Sequence, residues 1–141
     1  MYKMSIQYED YDGNKRKEDC YFNLSKTELT KMQLSESGGL DKVLARIIQE
    51  QDITKIADLL DTVILKSYGI KSDDGKTFSK SAEISEKFKS TQAYDELFMK
   101  LISDPQEAAN FIKKIIPSDL SAKIPNDVSK LPAEVTDILP Q

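Results

Sequence analysis

Tyr2-Lys3-Met4-Ser5-Ile6-Gln7-Tyr8, then Cys20-Tyr21-Phe22-Asn23-Leu24 running straight into Ser25-Lys26-Thr27-Glu28, is the stretch on which the fold turns. Tyr2, Met4, Ile6 and Tyr8 fall on one face of a strand, and Cys20, Phe22 and Leu24 repeat that period of two after a polar connection holding Asp12-Gly13-Asn14. The spacing predicts an N-terminal β-hairpin over residues 2–24 with one buried face. Ser25 and Glu28 then match a capping box, in which a hydroxyl and a carboxylate satisfy backbone donors reciprocally and start a helix. A sheet that hands over at once to helix is the signature of an α+β domain.

Outward from that point the chain is helical. Leu29 and Met32 give the first helix an apolar side, and Gly38-Gly39 interrupts it. Leu40, Val43, Leu44, Ile47 and Ile48 then recur at helical spacing. Asp52 can cap a longer helix carrying Ile53, Ile56, Ala57, Leu60, Val63 and Ile64, with Gly69 suited to a left-handed C-cap, and these two helices are expected to pack antiparallel. Asp73-Asp74-Gly75 signals a turn between short β-like segments from Ile70 to Phe78, read as a small hairpin or loop. Helix returns after Ser81 with Ile84 and Phe88, breaks at Ser90-Thr91, and resumes with Tyr94, Leu97, Phe98, Leu101 and Ile102, a stripe read as core. Asp104-Pro105-Gln106-Glu107 supplies an N-cap, a proline at N1 and an acid at N3 for a last helix burying Ala108, Phe111, Ile112 and Ile115. The expected architecture is α+β and mainly α-helical, the hairpin followed by a bundle of about five helices within 25–116.

All five glycines lie at or before Gly75, four of the five prolines lie at or after Pro117, and the last aromatic is Phe111. This divides the chain into one folded domain, 1–117, and a flexible or partner-ordered tail, 118–141. The tail is a quasi-repeat: Pro117-Ser118-Asp119-Leu120-Ser121, Pro125-Asn126-Asp127-Val128-Ser129 and Pro132-Ala133-Glu134-Val135-Thr136 each place proline first, an acid third, an aliphatic fourth and a hydroxyl fifth. Such units suit single proline-led helical turns, whose acid sits near a positive N-terminus. Leu120, Ile124, Val128, Leu131, Val135 and Ile138 are accordingly the candidate partner-binding residues.

Composition removes most other functions. Among 141 residues there is no histidine, which takes away the commonest general base and zinc ligand, and the single Cys20 cannot form an internal disulfide. Cys20 shares a strand face with Phe22 and Leu24 and reads as a small buried hydrophobe. Asp73-Asp74-Gly75 lacks the alternating ligands and terminal glutamate of a calcium loop. Lys15-Arg16-Lys17 meets Glu18-Asp19 at once and reads, like Lys113-Lys114, as a solvated face. Hence no catalytic, cofactor or metal residues are assigned and no enzyme activity is expected. A net charge of −4, with only Arg16 and Arg46 among twenty basic residues, opposes nucleic-acid binding, and no apolar run approaches the ~20 residues of a membrane span. The N-terminus lacks the apolar core of a signal peptide, so the chain is expected to stay where it is made. A protein that binds other proteins is what remains.

Four stretches then carry a resemblance: Ser25-Lys26-Thr27-Glu28-Leu29; Gly38-Gly39-Leu40 before an isoleucine-rich helix; Ile64-Leu65-Lys66-Ser67-Tyr68-Gly69-Ile70-Lys71-Ser72-Asp73-Asp74-Gly75-Lys76; and Thr91-Gln92-Ala93-Tyr94-Asp95-Glu96-Leu97-Phe98. In this order they resemble the tail assembly chaperones of long-tailed, siphovirus-type bacteriophages of Gram-positive hosts, over about Tyr2 to Pro117, with the proline-led tail outside the resemblance. The resemblance implies a non-catalytic protein of the host cell cytoplasm that binds the tape measure protein, keeps it soluble, helps recruit the tail tube protein, and is absent from the mature virion. Binding many places along one client implies weak contacts multiplied by self-association, so a homo-oligomer is expected. A structural tail component and a small acidic regulatory protein of a phage are the alternatives. The first would persist in virions, and the second would want acids less interleaved with lysine.

Overall fold

A computed structural model describes residues 1–32 and 39–121. The chain runs β1 (Tyr2–Glu9), β2 (Lys15–Phe22), α1 (Lys26–Lys31), α2 (Gly39–Gln49), α3 (Ile53–Ser67), β3 (Tyr68–Lys71), β4 (Phe78–Ser79), α4 (Ala82–Lys89), α5 (Gln92–Ile102), α6 (Pro105–Ile115) and α7 (Ser118–Ser121). The four strands form one antiparallel sheet in the order β1-β2-β3-β4. None of the described helices is long and apolar enough to cross a membrane.

The hairpin pairs without a slip from Tyr2 opposite Phe22 to Glu9 opposite Lys15. Its connection is fixed locally: Asp10 Oδ1 accepts from the amides of Asp12 at 2.9 Å and Asn14 at 2.8 Å, and Gly13 takes φ +82°, where a side chain would be strained. The amide of Asp10 donates to Asn14 O at 2.9 Å, which makes that pair a hydrogen-bonded one. By the alternation of an antiparallel ladder, the even-numbered residues of β1 direct their backbone groups to β2. The odd residues of β2 turn the other way, as the bond from Asn23 N–H to Ser67 O at 2.8 Å shows.

Each of five helices begins beside a residue whose side chain caps it. Ser25 closes a full capping box with Glu28, and Asp52, Ser81, Thr91 and Asp104 each accept from an amide of the first turn of their helix. Apolar stripes then turn inward: Leu60, Val63 and Ile64 from α3, Ala93, Leu97 and Leu101 from α5, and Ala108, Ala109, Phe111, Ile112 and Ile115 from α6 are all buried. At the centre, fully buried Phe22 meets Tyr68, Phe88 and Phe111 edge to face with ring centroids 5.7, 5.9 and 5.2 Å apart, while Tyr68 and Phe88 stack at 3.9 Å.

The α+β class, mainly helical, matches the sequence reading, but four details differ. The segment around Asp73-Asp74-Gly75 is a small hairpin, β3 against β4, but it does not stand alone: β3 joins β2 through Tyr21 opposite Gly69 and extends the N-terminal pair to four strands. Gly69 is therefore a strand residue, not a left-handed cap, and α3 ends one residue earlier with Tyr68 in extended conformation. In place of the expected bundle of about five helices, seven are described, with α5 packed directly against β1 and α4 against β3. Finally, α2 lies chiefly against α6 and not against α3. The stripe on α2 needs an apolar partner, and the exposed start of α3, with Ile53 at 66%, does not offer one.

Candidate partner-binding surface

Helix α1 organises one side of the molecule. Its capping glutamate also forms an ion pair, in which both carboxylate oxygens of Glu28 accept from Lys80 Nζ, at 2.8 and 2.7 Å, while Oε1 accepts from the Ser25 amide at 3.0 Å. Lys80, between β4 and α4, donates as well to Asn23 O, so one ammonium ties the end of β2, α1 and the entry to α4 together. Partial burial pushes the Glu28 carboxyl up, but the Lys80 ammonium and the Ser25 amide outweigh it and hold the group below its ordinary value. Beside this cluster opens a groove of about 340 Å³, walled by Met32, Leu65 and Ala82 and rimmed by Glu28, Lys80 and Ser85. Ser85 is already engaged, its hydroxyl donating to Leu65 O at 3.1 Å.

The remaining polar groups are braces. Tyr94 donates to Asp61 Oδ1, and Lys89 lies 3.6 Å from Asp61 Oδ2, so α3, α4 and α5 share one carboxylate. Burial and that carboxylate raise the Tyr94 phenol. Cys20 is buried, and desolvation pushes its thiol up to about 11, which keeps it protonated near neutral pH and poorly nucleophilic. Asp74 accepts from the Ser72 hydroxyl at 2.7 Å and the Lys76 amide at 3.0 Å, which makes Asp73-Asp74-Gly75 a self-satisfied turn. Among the described residues no group of three or more acidic, cysteine or histidine side chains could hold a metal ion.

Of the six aliphatic residues expected to bind a partner, Leu120 lies within the described residues, and Ile124, Val128, Leu131, Val135 and Ile138 lie outside them. Leu120 is half-buried against the core. Its short helix α7, just past the expected boundary at Pro117, packs on α6, and Asp119 reaches Lys26 Nζ at 2.8 Å. The first proline-led turn forms as the sequence suggests, with Leu120 N–H donating to Pro117 O at 3.0 Å. The root of the tail and the groove share α1, since Lys26 at its start holds α7 and Met32 at its end lines the groove. Sequence reading identifies Glu28 as a cap but not Lys80 as its partner; a pair 52 residues apart leaves no local signal.

A family model described as "Phage tail assembly chaperone" matches residues 1–138. That match runs past Pro117 through all three proline-led units, which corrects the expectation that the resemblance stops there. Neither a curated protein nor a solved structure matches the chain.

Proposed function

The chain belongs to the phage tail assembly chaperone family, and from that premise we propose that it binds the tape measure protein in the host cell cytoplasm, keeps it soluble, and helps recruit tail tube subunits before being left out of the virion. The family is not an enzyme family, and it implies interaction with tail proteins. The observation that carries the reading is a family match spanning body and tail alike. Residues 1–117 are the body in this proposal and 118–141 an arm, rooted at α7, whose Leu120, Ile124, Val128, Leu131, Val135 and Ile138 engage the client or a neighbouring copy. An acidic protein with interleaved lysines stays soluble when many copies line one client, and self-association multiplies weak individual contacts.

Co-expression with the tape measure protein tests this. The expected result is a co-purifying complex and a larger soluble fraction of the tape measure protein than it shows alone. Equal solubility without the partner, with no complex recovered, overturns the reading.

A further inference from the structure

We propose that two copies of this chain join through the free edge of β1, antiparallel about a two-fold axis at Ile6, to make one continuous eight-stranded sheet. The inference deepens the self-association in the preceding reading by giving it a surface.

β1 is an outer strand of the sheet, eight residues long, with α5 packed against it and Lys3 lying 3.5 Å from Asp19 on β2. Since its even residues bond to β2, the N–H and C=O groups of Lys3, Ser5, Gln7 and Glu9 point to the edge, where no strand pairs with them among the described residues. An edge of this kind is a template for another strand unless it is blunted by proline, a bulge or inward charges. β1 contains no proline or glycine and keeps its register over all eight residues. The other edges are managed differently: β4 is two residues long, and the unpaired part of β2 presents Lys15, Lys17 and Asp19. A groove of about 550 Å³, moreover, is lined by Ser5 and Gln7 on β1, Lys17 on β2, and Glu96, Leu97 and Lys100 on α5.

Charge selects the occupant. Two-fold pairing must bring odd residues opposite odd residues, because only those offer backbone groups to the edge. Centred on Ile6, it sets Lys3 opposite Glu9 of the other copy, and Glu9 opposite Lys3, with Ser5 and Gln7 facing each other between them. Opposite charges directly across a strand pair favour it and like charges oppose it. The even residues then place Ile6 against its own copy and Met4 against Tyr8, an apolar row continuous with the buried side of the sheet. Centring on Ser5 or Gln7 instead loses both ion pairs.

Sedimentation or light scattering of the whole chain across concentration, with three variants, decides the matter. Gln7→Pro removes an edge N–H without touching the β1–β2 ladder and is expected to weaken association at least tenfold. Lys3→Glu is expected to weaken it several-fold, and Lys3→Glu combined with Glu9→Lys to restore it; circular dichroism on each confirms the fold. A strict monomer in the wild type, or association indifferent to Gln7→Pro and to the charge exchange, overturns the proposal. So does a variant that loses tape measure binding while its mass distribution is unchanged, for the edge would then seat a client strand. Client solubility is a separate readout, so this surface and the chaperone reading can fail independently.

Discussion

At the scale of single residues, the tightest constraint is Gly69. A Cβ there would lie 2.7 Å from the Phe78 ring and 2.8 Å from Ser79 O, inside van der Waals contact with a backbone atom that cannot swing away. Gly69→Ala should lower unfolding stability by about 1–3 kcal/mol, the usual range for overpacking, read as a shift of the denaturant midpoint. Gly75 is the contrasting case: nothing lies within 4 Å of where a methyl group would sit, yet its φ is +76°, so alanine there costs roughly 1–2 kcal/mol from backbone strain alone. Glu28 carries a pH signature. Its carboxyl is held below its unfolded value, so its contribution is fully present above that value, ~4.3, and is lost as pH falls through the lower folded one. Glu28→Gln should therefore lower stability at neutral pH and flatten the acid limb of a stability profile below about pH 5. Asp10, Asp19, Asp74 and Asp119 are also held low and will keep part of that limb in the variant.

Among the elements, those specified by neighbours in sequence are legible and those specified by distant contacts are not. The β1–β2 hairpin, the capping box at Ser25, and the caps at Asp52 and Asp104 are all local, and the sequence reading places each of them; Ser81 and Thr91 it places as helix boundaries without their capping roles. The junction of β2 with β3 escapes it because Tyr21 and Gly69 meet across 48 positions and a glycine after an apolar stripe more often ends a helix. The groove escapes it for the same reason, through Lys80 and Glu28. Helix α7 lies between these cases: its proline-led turn can be read, whereas its anchorage by Lys26 and the packing of Leu120 cannot. Ending the chain after Ser121 should leave the thermal midpoint of the body unchanged and weaken client capture. Ending it after Pro117 should also cost ~1 kcal/mol, about half the value of a fully buried leucine, and lower the midpoint by roughly 3–5 °C in a thermal melt.

For the molecule as a whole, the order of assembly follows from one hydrogen bond. The amide of Leu24 donates to Ile115 O at 2.7 Å, so the strand that begins the fold is completed by the end of α6. Contacts this distant in sequence are slow to close, because the loop entropy must be overcome before the contact rewards it. The hairpin can form early, but the buried side of Phe22 waits for Phe111, and Leu24 for Ile115. Synthesis from the N-terminus thus lets α4 and α5 cover part of the sheet's apolar face early, but leaves the part around Phe22 and Leu24 incomplete until α6 has emerged with Phe111 and Ile115. A member of a chaperone family is thus, during its own translation, in the position of a client.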